Sequence, residues 1–216
     1  GLETEVRLAT LAELWTQAAL AQARLDGKAA QGQSQQAVDA WLEAARHAYA
    51  YLFFSGRTPA ERALEDRLTQ VRDYYNNAAE QAAAMVFARA REQALDGGGG
   101  SAVKVSASGW TVSARYDDLG LQSVPRSLVA ASSIGFAGLR STYRRDGFGA
   151  ELVVVMEPSV LAVPLQEEPE EMTAVRGPVY SEMPAINATA ILRFGGNTLE
   201  QVLATRQISL EAYAPE

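Results

Sequence analysis

Four consecutive glycines, Gly97 to Gly100, followed by Ser101, separate two stretches whose side-chain periodicities cannot build the same element. Before them, apolar residues recur at helical spacing among many alanines. After them, apolar residues alternate with period two, and β-branched residues, glycine and proline dominate. A helix-period pattern does not settle as a strand, nor the reverse. The predicted fold class is therefore α+β: an N-terminal all-α helical bundle or hairpin over 1–96, a flexible joint at 97–101, and a mostly antiparallel β-rich part over 102–216.

The first helix is predicted over 3–25, with Leu11, Leu14, Trp15, Ala18 and Leu25 on one face. The second spans 34–54, with Val38, Trp41, Leu42, Ala45, Tyr49 and Leu52 as its stripe, and Ser55-Gly56 closing it. The third starts at Thr58, where Pro59 and Glu61 complete a capping box. It runs to about 95 through Leu64, Leu68, Val71, Tyr75, Ala78, Ala82 and Met85, with a kink or break expected at Asn76-Asn77. The 34-residue tetratricopeptide period is absent, so a small bundle is preferred to a repeat array.

In the second stretch, Val103, Val105 and Ala107 alternate in one phase and Trp110, Val112, Ala114 and Tyr116 in the other. A two-residue hairpin turn at Ser108-Gly109 is the natural link. Further strands are predicted at 128–134, 160–165, 185–194 and 208–213, with a helical turn at 198–203. The strongest hairpin signal lies in FAGLRSTYRRDGFGAELVVVME, residues 136–157. An arm through Leu139 and Tyr143 leads to an Asp146-Gly147 turn with positive φ at Gly147, then a bulge at Gly149. The unbroken apolar run 152–156 reads as a strand buried on both faces. Valine at Gly147 or Gly149 is expected to melt the β-rich part while leaving the helices intact, if the glycine joint uncouples the two.

Much chemistry is excluded. A net charge of −7, from 19 basic and 26 acidic residues, argues against nucleic acid as a partner and gives no attraction to an anionic membrane. With no cysteine there is no disulfide, thiolate nucleophile or Cys-based metal site. The only histidine, His47, lies mid-helix with no serine at a useful spacing, so it reads as a helix-surface or groove-lining residue rather than a triad base. No G-x-S-x-G, H-E-x-x-H, P-loop or G-x-G-x-x-G occurs. Glu167, Glu168, Glu170 and Glu171 lack EF-hand spacing and read as a solvated loop. Asn187-Ala188-Thr189 matches a glycosylation acceptor but falls inside a predicted strand. No catalytic residue, cofactor or metal is expected. The candidate interaction residues are the basic cluster Arg140, Arg144 and Arg145, with Trp15 and Trp41 on the helices. No run approaches the ~20 apolar residues of a membrane span. Gly1 leads straight into a helical pattern, so any signal sequence or lipid-anchor cysteine would lie upstream.

The phrase formed by Gly138, Leu139, Arg140, Arg145, Gly147, Gly149, Ala150, Leu152 and Val153 resembles a segment of bacterial membrane-associated α/β-hydrolases. These form a lipase/esterase-like group often made as lipoproteins. The likeness extends through Ala188, Thr189, Ala190, Ile191, Leu192 and Phe194 to Leu210, Glu211, Tyr213 and Pro215. It covers roughly the last 90 residues, and the helical part matches only in kind. The nucleophile, acid and histidine of that group would all follow Glu216. The resemblance therefore implies a non-catalytic accessory N-terminal module of an envelope hydrolase, periplasmic or lipid-anchored. Its partner would be its own downstream hydrolase domain or another protein, and any membrane association would run through a removed lipid anchor. The alternative is a stand-alone module whose helical groove binds a partner peptide.

Overall fold

The computed structural model describes residues 2–27, 34–62, 65–95, 102–107, 109–115, 127–130, 147–155 and 185–213. The glycine joint at 97–101, the strand arm at 139–143, the strand at 160–165, the acidic stretch 167–171 and Arg140, Arg144 and Arg145 fall outside these residues.

Three long helices come first: α1 (Leu2–Asp26), α2 (Gln35–Phe54) and α4 (Asp66–Leu95), with the single-turn α3 (Pro59–Arg62) before α4. The strands are β1 (Ala102–Ala107), β2 (Trp110–Arg115), β3 (Ser127–Ala130), β4 (Ala150–Val155), β5 (Ala185–Phe194) and β6 (Gln207–Tyr213), with α5 (Leu199–Ala204) between the last two. They form one six-stranded sheet in the order β1-β2-β6-β5-β4-β3. Every neighbouring pair is antiparallel except β2 with β6, which is parallel. The class is thus α+β, helices first and a mostly antiparallel sheet after them.

The helix starts follow their capping chemistry. The Ser34 hydroxyl accepts from Ala37 N at 3.2 Å to open α2. At α3, Thr58 N donates to Glu61 Oε2 at 2.6 Å and Glu61 N to Thr58 Oγ1 at 3.4 Å, a reciprocal capping box. The end of α2 differs from expectation. Ser55 is extended, and no glycine takes a left-handed turn there. Instead Arg62, only 2% exposed, donates Nη1 to Tyr51 O at 2.9 Å and Nη2 to Leu52 O at 3.1 Å. A guanidinium fork thus takes the orphan carbonyls that a glycine turn would otherwise satisfy.

The buried face of α1 is also not the expected one. Leu14 and Leu25 are exposed, whereas Leu8, Ala9, Ala12, Thr16 and Ala19 are buried. Small residues let α1 approach α2 closely, and Thr16 returns its hydroxyl to Ala12 O at 2.8 Å. The long third helix of the sequence reading is split by the break between α3 and α4, while Asn76-Asn77 introduces no interruption in α4.

Strand β4 ends at Val155 and alternates between buried and half-buried residues. It is therefore not buried on both faces. Ala150, Leu152 and Val154 face the helices together with Ala188, Ala190, Leu192 and Phe194 of β5, Ile208, Leu210 and Ala212 of β6, and Trp110, Val112 and Ala114 of β2. Most of these join Val38, Leu42, Ala45, Val71, Tyr75 and Ala78 in one apolar cluster, so helices and sheet share a core.

Candidate functional site

Trp110 opens β2 and is fully buried against α2. Its indole Nε1 donates to Asp39 Oδ1 at 2.8 Å, and Phe194 meets it edge-on at 6.1 Å. The Arg206 guanidinium lies 4.4 Å from its ring centroid and that of Arg46 5.2 Å. Glu43 ties the two arginines together: Arg46 Nη2 donates to its Oε2, and Arg206 Nη1 to its Oε1 at 2.8 Å. Arg46 also reaches Thr205 O at 3.3 Å. Asp39, Glu43, Arg46 and His47 come from successive turns of α2. An otherwise apolar helix that carries charges at such spacing was the one signal of this cluster in the sequence.

His47 belongs here, and it is buried rather than on the helix surface or in a groove. Its Nδ1 donates to the Glu43 carbonyl at 2.8 Å, one turn back along α2. Burial, together with the nearby Arg46 and Arg7, pushes its pKa below the usual value, against the pull of Glu43. Among the described residues no hydroxyl hydrogen-bonds it. With these charges engaged by their neighbours, the cluster fastens α2 to Trp110 of β2 and to Thr205 and Arg206, which lead into β6.

A second polar contact fastens α4 to the sheet. The Tyr75 hydroxyl, fully buried, donates to Leu192 O at 2.7 Å and accepts from Leu192 N at 3.0 Å. The β4–β5 ladder ends at Ala150 and Ala190, so Tyr75 serves β5 where its neighbour has stopped. The next residue does the same for the approach to β4. Asn76 Nδ2 donates to Gly147 O at 3.0 Å, and Gly149 N donates to Asn76 Oδ1 at 2.8 Å. Gly149 takes the positive φ, 107°, which had been expected at Gly147. Asn76, from α4, thus holds the backbone at both Gly147 and Gly149.

Of the tryptophans predicted as interaction residues, Trp15 is half-buried and packs on the core, whereas Trp41 is 3% exposed. Trp41 lines a crevice between α2 and α4 with Val38, Leu42, Gln81, Ala82 and Met85. Elsewhere, Phe53 and Phe148 remain exposed and touch at 5.3 Å, continuing through Tyr49 to Phe194. On the sheet face away from the helices, Arg193 Nε donates to Glu211 Oε2 at 2.6 Å, and the Tyr213 hydroxyl donates to the same oxygen. Ile191, opposite Glu211, lies half-buried beside them, and Val153 lies half-buried opposite Asn187.

Among the described residues no group of histidines and carboxylates could hold a metal ion, and no helix is long and apolar enough to cross a membrane. Comparison with protein-family models, with curated proteins and with solved structures gives no match.

Proposed function

We propose that this chain is a non-catalytic accessory module of a bacterial envelope lipase/esterase-like α/β-hydrolase, packing against or regulating the hydrolase domain. The observation that carries this reading is where the hydrolase-like phrases fall. Gly149 to Val153, Ala188 to Phe194 and Leu210 to Tyr213 lie side by side on β4, β5 and β6. Their inward residues form the core under the helices, and on the outward face Val153, Ile191 and Tyr213 lie among Glu151, Thr189, Arg193 and Glu211. A face that mixes aliphatic side chains with a fixed Arg193–Glu211 pair has the make-up of a surface between domains.

The test is binding of this chain to an α/β-hydrolase domain encoded in the same reading frame or operon, measured by calorimetry. Binding that Ile191→Glu removes, with folding unchanged, supports the reading. Full binding by that variant, or esterase turnover by the isolated chain, rejects it.

A further inference from the structure

We infer that α1 pairs, antiparallel, with α1 of a second copy of this chain through the stripe Leu11, Leu14, Ala18, Ala21 and Leu25. These residues recur at alternating intervals of three and four, the spacing of a coiled-coil seam. The stripe lies opposite the face that meets the bundle, where Leu8, Ala12, Thr16 and Ala19 are buried. Leu14 is 59% exposed and Leu25 78%, Ala18 and Ala21 are exposed, and Leu11 is half-buried. The exposure of Leu25 is not fraying of the helix end. Asp26 Oδ1 accepts from Gln22 Nε2 at 3.0 Å and its Oδ2 from Ser34 N at 3.0 Å, which ties down the last turn. Single exposed leucines are ordinary on a protein surface, but an apolar stripe in register along one helix marks a contact.

The charges choose the direction and the register. Arg7 holds the seam position before Leu11. In a parallel pair it would face Arg7 of the partner subunit across the seam, a repulsion between like charges. In an antiparallel pair with Ala18 against Ala21 of the partner subunit, Leu14 meets Leu25 of the partner subunit, and the two-fold axis repeats both contacts. Arg7 then lies past the end of the opposite helix, which stops at Asp26, and stays in water. Arg24 comes beside Gln17 of the partner subunit, whose amide oxygen can accept from it. The other antiparallel register, with Leu14 against Ala18 of the partner subunit, would press Leu25 on Arg7 of the partner subunit. The stripe is thus complementary to itself in one register, with alanines letting the axes approach and a leucine pair at each end. A single helix pair is a small contact, so the dimer is weak and forms at high protein concentration. The inference concerns the outer side of the helical layer and stands apart from the reading of the sheet face; either can fail without the other.

The experiment is sedimentation of the full chain over a wide range of concentration. The mean mass rises from that of one chain toward that of two. Leu14→Glu and Leu25→Glu each weaken association at least about tenfold, since each removes a leucine contact at both ends of the pair. Both keep the melting temperature of the dilute parent chain, because these side chains are exposed in the single copy. Val6→Glu, at an exposed position off the stripe, leaves association unchanged. The chain has no cysteine, so introduced ones report the direction. Leu14→Cys mixed with Leu25→Cys and mildly oxidised gives a cross-link between the two variants, and neither variant cross-links to itself. Equivalent residues lie about 16 Å apart along the antiparallel pair, whereas a disulfide spans no more than about 7 Å between Cα atoms. A single-chain mass at every concentration, association that survives Leu14→Glu, an equal loss in Val6→Glu, or cross-linking of Leu14→Cys to itself would overturn the inference.

Discussion

Gly149 carries two constraints at once. Its φ of 107° is one that L side chains rarely adopt, and a Cβ there would lie 2.7 Å from Thr189 Cγ2 and 2.8 Å from Ala190 O. Gly149→Ala should lose at least about 1–3 kcal/mol from backbone strain, with the clash in addition. Gly147 has neither constraint, and nothing lies within 4 Å of its added Cβ. Gly147→Ala should change stability by less than about 0.5 kcal/mol. Urea melts of the two variants check the pair, and a loss at Gly147 equal to that at Gly149 would contradict it. Tyr75→Phe leaves the buried Leu192 N–H and C=O without their hydroxyl, and should cost about 1–3 kcal/mol in the same assay. The remaining residue-scale expectation is a pH effect. The folded pKa of His47 lies below its unfolded value of about 6.5, so the unfolded chain binds the proton first as pH falls. Its contribution to stability is complete above that value and drains away as pH drops from it toward the folded pKa. Glu5 and Glu65, held low by hydrogen bonds from Arg57, act only in more acid solution. Stability measured between neutral pH and pH 5.5 should therefore flatten in His47→Gln; an unchanged slope would show that His47 is not the group being titrated.

At the scale of elements, much of the fold was legible because its cues are local. Ser34, Thr58 with Glu61, and Thr198 each cap the helix predicted for them, and the phase flip at Ser108-Gly109 became the Ala107–Trp110 hairpin with φ 78° at Gly109. Strand β5 spans the predicted residues. What could not be read depends on partners distant in sequence. The inward face of α1 was missed because a leucine count favours Leu14 and Leu25, whereas close packing on α2 selects Ala12, Ala19 and their neighbours. Asn76 looked like a helix breaker because its propensity is poor, yet it sits where its amide can pair with β4's approach, 71 to 73 residues away. The candidate site was less legible still. His47, Arg46 and Glu43 meet within α2, but only the fold shows that Arg206 and Trp110 join them. The same dependence governs the entry to α4: Arg57 donates Nε to Glu5 at 2.8 Å and Nη1 to Glu65 at 2.6 Å, linking α1 to the start of α4. Arg57→Met should loosen α1's first turns, seen as faster amide exchange there with α2 unaffected.

For the molecule as a whole, the expectation that the helices would survive melting of the strands gives way to the shared core. Leu42, Tyr75, Trp110 and Leu192 belong to one buried cluster, and Trp110 and Tyr75 hydrogen-bond across the two layers. Helix signal in the far ultraviolet and tryptophan signal in the near ultraviolet should disappear in a single coincident transition. Two separated transitions would mean that the contacts between layers are too weak to couple them.

The parallel pairing of β2 with β6 has a consequence during synthesis. The strand latest in the chain lies third in the sheet, with β2 on one side and β5 on the other. Until Gln207–Tyr213 has left the ribosome, the β1–β2 hairpin and the β3–β4–β5 meander have no strand to join them. Each then presents an unpaired edge to the crowded space around the exit tunnel. Both edges stay open to other pairings until the 7-residue strand β6 has been made.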